Sequence, residues 1–272
     1  METLGYGLLA LAAATVGVLG GLGGAILLVP ALVATGMSPA EAAPLGLVTV
    51  AAASISAAPR QLAERSVNHR IGVTTELVAS TGAVAGATVS TLVSDRALTY
   101  TLALVAVVAA LAGRRSGGLR DRPDPACVPS DVGERVGSLA GAYPLDGGIV
   151  PYAPRRLGAG LALMGLSGIV AGVAGVSGGF IKTPATSDVM GVPIRVAAST
   201  TTFTVGITAA TALVVFAVQG RIDPEPAALV VAGSLTGGTL GARLQALLSP
   251  SASRRVLSIL LLVVAGLLVA QA

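Results

Sequence analysis

The sequence predicts an all-α integral membrane protein with about eight transmembrane helices, and its composition and long apolar runs carry that prediction. Of its 272 residues, 53% are hydrophobic and 11% are charged, and the mean hydropathy is +0.84. A soluble domain carries roughly 25% charged residues, and a disordered chain is less hydrophobic and more charged. Long charge-free runs are typical of membrane helices, whereas the strands of a membrane barrel alternate over about ten residues.

Charged residues divide the chain into eight apolar runs, four on each side of a polar stretch. The runs cover residues 3–40, 42–59, 71–94, 97–113, 157–181, 196–220, 226–242 and 256–272. The polar stretch, residues 114–156, predicts a hydrophilic linker between a first transmembrane repeat (residues 1–113) and a second one (residues 157–272).

The first apolar run is too long for one straight helix. As a helix it would extend about 57 Å, against about 30 Å for the hydrocarbon core of a bilayer. It contains Gly20, Gly21, Gly23 and Gly24 and then Pro30, and glycine and proline destabilise helix interiors. We therefore expect a broken helix, whose irregular backbone must be buried in protein or face a water-filled cavity.

The two halves of the chain resemble each other, which predicts an internal duplication. Residues 21–30 align with residues 175–184 at an offset of 154. Gly36 aligns with Gly191, and the pair Gly82 and Gly86 with the pair Gly237 and Gly241, at an offset of 155. Each repeat thus has four helices, the first of them broken at a Gly-rich element with a proline. An even number of crossings favours parallel repeats, but inverted repeats result if the broken segments re-enter the membrane instead of crossing it.

Basic residues predict the orientation in the cell membrane. When loops are assigned alternately to the two sides, the side with both termini and the linker receives 11 of the 17 Lys and Arg residues: Arg60, Arg65, Arg70, Arg114, Arg115, Arg120, Arg122, Arg135, Arg155, Arg156 and Arg221. By the positive-inside rule this side is cytoplasmic.

Enzymatic, metal-binding and nucleic-acid-binding functions find little support. The chain has one histidine, His69, one cysteine, Cys127, and no tryptophan. It has no HExxH motif, no histidine within a span to activate a nucleophile, and few aromatic residues on which bases could stack. We expect no cofactor, metal or nucleic acid, but a small anion and the lipid bilayer as partners; a homo-oligomer stays open.

The sequence resembles the TauE/SafE-type sulfite exporters, the toluene-sulfonate uptake permease group. The resemblance rests on residues 21–30, 175–184 and 197–203, supported by residues 70–76 and 240–244. It implies a multi-pass permease for sulfur-containing anions such as sulfite or sulfonates. Ala25, Ser177 and the threonines 200–202 depart from the expected glycine-rich pattern, and these changes concern the substrate more than the fold.

The Gly-rich elements are the first candidates for the binding site. A half-helix that starts within the membrane presents backbone N–H groups and a favourable dipole to an anion. Tight helix packing is the alternative role of such small residues. The candidate substrate-binding residues are Gly21, Gly23, Gly24, Pro30, Gly175, Ser177, Gly178, Gly179, Lys182, Pro184, Thr200, Thr201 and Thr202.

Charged residues within the spans are the second kind of candidate. Lys182, the only lysine, either pairs with the substrate anion or extends to the interface beside Asp188. Glu76 either couples transport to protons or pairs with Arg70 or Arg60, or forms hydrogen bonds across helices. Arg60 and Arg195 either attract anions or anchor span ends. The hydroxyl groups of Thr200–Thr202 either donate to an oxyanion or bond to the preceding helical turn.

These observations favour a secondary transporter that binds a small sulfur-containing anion near the membrane midplane. A transporter of another small organic anion and a non-transporting membrane scaffold or accessory subunit are the alternatives. The sequence leaves the substrate, the direction of transport, the coupling ion and the role of the linker open.

Overall fold

The computed structural model describes residues 3–19, 23–63, 65–115, 123–145 and 148–247, together with residues 259, 262, 263 and 266. Its helices are α1 (Thr3–Leu19), α2 (Ala25–Ala34), α3 (Pro39–Ala63), α4 (His69–Val89), α5 (Asp95–Arg115), α6 (Leu157–Ala174), α7 (Gly179–Pro184), α8 (Ile194–Val218) and α9 (Pro224–Leu247). Short 3-10 turns cover Ser90–Leu92 and Pro129–Asp131, and a π-helical turn, Ala185–Val189, continues α7.

Four of the described helical segments are long and apolar enough to cross a membrane: Pro39–Ala63, Leu157–Ala174, Ile194–Val218 and Pro224–Leu244. Shorter apolar helices cover Leu4–Val18 and Ala25–Ala34. Mostly helical structure is as predicted, whereas the eighth predicted span, residues 256–272, lies almost entirely outside the described residues.

The linker folds, which the sequence analysis did not predict. It forms a three-stranded antiparallel sheet in the order β1 (Gly133–Glu134), β2 (Gly141–Leu145) and β3 (Gly148–Tyr152). Tyr143 and Val150 of the sheet pack against Ile71, Met190 and Val192. The sheet therefore rests on one end of the helical bundle and contacts both halves of the chain.

Both predicted helix breaks are present. In the first half, α1 ends at Leu19 and α2 begins at Ala25 after Gly23 and Gly24, whose φ angles are 74° and 71°. In the second half, α6 ends at Ala174, before Gly175 with a φ angle of 67°, and α7 begins at Gly179. Positive φ favours glycine because it has no Cβ atom, so these glycines permit the chain to turn where it does.

Helix directions follow from pairs of neighbouring residues. A Cβ atom added to Gly237 would lie 2.3 Å from the carbonyl oxygen of Leu11, and one on Gly241 2.6 Å from that of Thr15, so α1 and α9 are parallel. Thr49 accepts a hydrogen bond from Ser234, and Gly238 lies against Ala53, so α3 and α9 are also parallel.

The second half shows the corresponding arrangement. An added Cβ atom on Gly82 or Gly86 would lie 2.3 Å from the carbonyl oxygen of Gly165 or Ile169, respectively, so α4 and α6 are parallel. Gly72 lies against Thr204, and Glu76 bonds to Thr208, so α4 and α8 are parallel.

The two sets of helices have opposite directions. The Ser54 hydroxyl donates to the Thr202 carbonyl oxygen over 2.6 Å, and that of Ser66 to the Ser199 hydroxyl over 2.9 Å. Arg221, after α8, donates to the Ala40 carbonyl oxygen over 2.8 Å. The end of α3 thus lies beside the start of α8, and the two helices are antiparallel. The internal sequence match aligns α3 with α8 at an offset of 155, so their opposite directions agree with the inverted alternative and not with parallel repeats.

Both short half-helices re-enter. Because α1 and α3 are parallel, α2 between them must run back, and Val29 of α2 lies beside Gly46 of α3. The same holds for residues 179–189 between α6 and α8. At 1.5 Å per residue, the ten residues of α2 span about 15 Å, which is half of a hydrocarbon core of about 30 Å. Each broken segment therefore returns to the side from which it came and adds no net crossing of the membrane.

The bundle therefore has two distinct ends. The linker end comprises residues 65–71, 133–145, 148–152 and 190–197, and the far end comprises residues 36–40, 90–95 and 219–224. Helix α1 begins near the far end, because Gly7 lies beside Leu229 near the start of α9. The N-terminal helix and the linker thus lie at opposite ends, which contradicts the sequence-based assignment of both to one side.

Candidate functional site

The two helix breaks meet inside the protein. A Cβ atom added to Gly23 would lie 3.4 Å from the Ser177 hydroxyl oxygen, and both residues are buried. Gly23 and Ser177 are equivalent in the two repeats, at the offset of 154. The starts of the two half-helices, Ala25 and Gly179, are close to this junction in sequence. A helix offers no acceptor for its first N–H groups, and at this junction the Ala25 N–H donates to the Gly23 carbonyl oxygen over 2.7 Å. The junction therefore brings together the starts of half-helices from both halves of the chain.

Small residues allow this close approach. An added Cβ atom on Gly46 of α3 would lie 2.3 Å from the Gly175 carbonyl oxygen, and one on Gly178 would lie 2.1 Å from the Ser167 hydroxyl oxygen. The Ser167 hydroxyl donates to the Gly178 carbonyl oxygen over 2.8 Å, and the Ser177 hydroxyl accepts from the Gly179 N–H over 3.1 Å. The second break is thus fixed by specific contacts as well as by packing.

A buried ion pair lies at the second half-helix. Lys182, on the first turn of α7, donates to a carboxylate oxygen of Glu76 on α4 over 2.6 Å. The exposed fractions of the two residues are 2% and 4%. The Thr208 hydroxyl of α8 accepts from Lys182 and donates to the other Glu76 oxygen, which also accepts from Ser80 over 2.9 Å. Three helices therefore converge on one charge-neutral cluster.

This pairing replaces the interfacial alternative for Lys182 and the arginine partners considered for Glu76, while substrate binding by Lys182 stays a prediction. Lys182 does not extend to the interface beside the exposed Asp188. Arg70 pairs with Glu134 over 3.6 Å, and the ion-pair partner of Glu76 is Lys182. The hydrogen bond from Thr208 agrees with the expectation that Glu76 bonds across helices.

The threonine run lies nearer the linker end and is buried. The Thr200 hydroxyl accepts from the Asn68 N–H over 2.9 Å, and the Thr202 hydroxyl donates to the Ala198 carbonyl oxygen over 3.0 Å. Thr202 thus bonds to the preceding turn, the alternative to oxyanion binding. Thr200 joins the start of α8 to the loop before α4.

The other predicted candidates divide by position. Gly24, Pro30, Gly175, Gly178 and Gly179 are buried at or near the breaks, whereas Pro184 is half-buried at the end of α7. Arg60 and Arg195 are exposed near helix ends at the linker end of the bundle. Gly21 lies outside the described residues.

The linker sheet is attached to the start of α4 by polar contacts. Asn68 caps α4 by accepting from the Ile71 N–H over 2.9 Å, and its amide donates to the Tyr152 hydroxyl over 3.0 Å. Glu134 accepts from the His69 N–H and lies 2.9 Å from the His69 ring. Burial raises the pKa of the Tyr152 hydroxyl, so it stays protonated at neutral pH.

Re-entrant half-helices that meet inside a multi-pass bundle are characteristic of secondary transporters. Residues 6–268 match the family described as "Sulfite exporter TauE/SafE". Because this match covers nearly the whole chain, the chain belongs to that family, as its sequence motifs predicted, and it is a membrane transporter by family.

A curated relative agrees with this assignment. The chain is 25% identical over 243 residues to "Probable membrane transporter protein YunE" of Bacillus subtilis (strain 168), and the alignment covers 86% of this chain and 85% of that protein. No solved structure matches the chain.

Proposed function

We propose that this protein is a secondary transporter that carries small sulfur-containing anions, such as sulfite or sulfonates, across the cell membrane. The observation that carries the proposal is the junction of Gly23 and Ser177, where the two re-entrant segments meet. The sulfur-containing substrate class is taken from the family to which the chain belongs.

The proposed architecture consists of two inverted repeats of four helices each. The glycine contacts support it, because they recur at a constant offset: Gly82 and Gly86 contact Gly165 and Ile169, while Gly237 and Gly241 contact Leu11 and Thr15. Adding 154 to 11 and 15 gives 165 and 169. Inverted repeats allow alternating access, because each repeat can adopt the conformation of the other and the site then opens to the opposite side.

In this proposal the anion binds between the junction of the breaks and the Lys182 cluster. Backbone N–H groups at the starts of α2 and α7 donate to the substrate, and the ammonium of Lys182 supplies positive charge. In the first repeat, Leu28 occupies the position equivalent to Lys182. The site is therefore weighted toward the second repeat.

We place the linker end in the cytoplasm and the start of α1 on the other side. The described arginines at the linker end are Arg60, Arg65, Arg70, Arg114, Arg115, Arg135, Arg155, Arg156, Arg195 and Arg243, whereas Arg96 and Arg221 lie at the far end. An excess of basic residues marks the cytoplasmic side.

The test of transport is uptake of radiolabelled sulfite into proteoliposomes that contain the purified protein, with unlabelled sulfonates, sulfate and acetate as competitors. We expect saturable uptake that sulfonates inhibit more strongly than acetate. Equal inhibition by acetate would favour a general organic-anion transporter. No uptake above that of empty liposomes, by folded protein and with either direction of proton gradient, would contradict transport of these anions and favour the scaffold.

A further inference from the structure

The ion pair of Lys182 and Glu76 is isolated from other charges. Helix α6, packed against α4, carries no charged residue, and the one charged residue of α8, Arg195, is exposed on its first turn. On α4 itself, His69 and Arg70, about two helical turns before Glu76, are exposed and contact Glu134. Asp188, after α7, is exposed. Helix α5, which packs against α7, carries its charged residues only at its two ends, Asp95, Arg96, Arg114 and Arg115. Glu76 is therefore the one ion-pair partner of Lys182 within the described part of the chain.

The cluster leaves binding capacity unused. An ammonium group has three N–H donors, and among the described residues Lys182 has two side-chain acceptors, Glu76 and Thr208. The hydroxyl oxygen of Thr183, the next residue on α7, is buried without a hydrogen-bond partner in the described part of the chain. Buried polar atoms without partners are uncommon, and a hydroxyl group and an ammonium group can each donate to an oxyanion.

We propose that Glu76 and Lys182 bind a proton and an anion together, which makes this protein an electroneutral cotransporter of one monoanion with one proton. This inference rests on the proposed transport function. A proton that binds a Glu76 carboxylate oxygen neutralises the carboxyl group, while Lys182 keeps its positive charge. A monoanion then takes the place of Glu76 as the counter-ion of Lys182.

The net charge of the buried cluster determines which charge a bound substrate can carry. Without substrate, the pair of Lys182 and Glu76 carries no net charge. With Glu76 protonated and a monoanion such as a sulfonate or hydrogen sulfite bound, the cluster is again neutral. A dianion would leave a buried negative charge, which is costly. Thr208 contacts both partners and holds Lys182 in place when Glu76 is protonated.

The test uses methanesulfonate, whose single negative charge does not change with pH, and sulfate as the dianion. Binding to the purified wild-type protein is measured by calorimetry at several pH values. Because one proton binds with each anion, affinity for methanesulfonate should rise about tenfold for each pH unit of acidification while Glu76 of the unliganded protein is ionised. Binding without pH dependence would overturn the inference.

Transport provides the second measurement. In proteoliposomes, an inward proton gradient should drive accumulation of labelled methanesulfonate, with one proton entering per anion, and an imposed membrane potential alone should not. Accumulation driven by the potential and not by the proton gradient would contradict electroneutral cotransport. Absence of any uptake by folded protein contradicts the proposed transport function itself, so the two failures are distinguishable.

The variant Glu76→Gln removes the proton-binding group and keeps the shape of the side chain. In this variant, methanesulfonate affinity should no longer depend on pH, and the proton gradient should no longer drive accumulation. Asp188→Asn, which neutralises the exposed carboxylate after α7, is the matched control and should behave as the wild type. Proton-driven accumulation by Glu76→Gln would overturn the assignment of Glu76. If this variant does not fold, the pH dependence of methanesulfonate binding to the wild type still tests whether a proton binds with the anion.

Discussion

Lys182 and Glu76 lie 106 positions apart in the chain and pair inside the membrane-spanning bundle. Two opposite charges in an apolar interior stabilise each other, and either one alone is a buried charge without a partner. Losing one partner of such a pair typically costs about 3–5 kcal/mol, whereas replacing both with apolar residues is often neutral.

We therefore expect Lys182→Met to lower the free energy of unfolding by about 3–5 kcal/mol, because Glu76 keeps a buried charge without its partner. The double variant Lys182→Met with Glu76→Leu should recover most of this loss. The measurement is reversible unfolding in detergent at neutral pH. Equal stability of the wild type and the single variant would contradict the burial of the pair.

The sequence alone singled out Lys182 and Glu76 but neither their contact nor the part of Thr208 in the cluster. Lys182 is the only lysine, and Glu76 is the carboxylate inside the third apolar run. An isolated charge is costly inside a membrane, so the presence of one lysine and one glutamate in the spans could have predicted that they pair. Helical periodicity does not say which helix faces meet, so the partner could not be derived from local pattern. Substrate binding by Lys182 and by the threonines remains a prediction.

Helices approach each other through glycine at two interfaces that correspond in the two halves. The glycines at 82 and 86 lie on α4, and those at 237 and 241 lie on α9. Each presents its bare Cα to carbonyl groups of the first helix of the other half, α6 or α1. Small residues at interfaces let helix backbones pack closely in membranes.

At the scale of elements, Gly82→Ala and Gly237→Ala should therefore destabilise the protein to similar extents, by about 1–3 kcal/mol, the usual cost of overpacking. Each new methyl group would lie 2.3 Å from a carbonyl oxygen. Gly158→Ala in α6 is the control, because an added Cβ atom there meets no other atom within 4 Å. Thermal unfolding in detergent compares the three, and a destabilisation confined to one of the pair would argue against equivalent interfaces.

Among the elements, the helix breaks were predictable because glycine and proline interrupt an apolar run that is too long for one crossing. The sheet in the linker was missed because its strands are short and lie in a polar segment. The dipeptide Asp146-Gly147, between two short runs that contain Tyr143 and Val150, is a hairpin signal that was available.

At the scale of the whole molecule, inversion brings the two breaks together and separates the N-terminal helix from the linker. The internal sequence matches predicted a duplication, and Gly36 and Gly191, which these matches align, both have positive φ. It did not show the inversion, because hydropathy cannot distinguish a segment that returns from one that crosses. Antiparallel packing of α3 against α8 supplied that information.

The inverted arrangement underlies the proposed site, and membrane-side labelling tests it most directly. Cys127 in the linker is the one natural cysteine, and Glu225 is exposed at the start of α9, at the far end. Burial and the carboxylates of Asp124 and Asp131 raise the pKa of the Cys127 thiol, so an impermeant maleimide is applied at mildly alkaline pH. In intact cells we expect labelling of the variant Cys127→Ser with Glu225→Cys, and labelling of wild-type Cys127 only after the membrane is opened. Labelling of both positions from the same side would contradict the inverted fold.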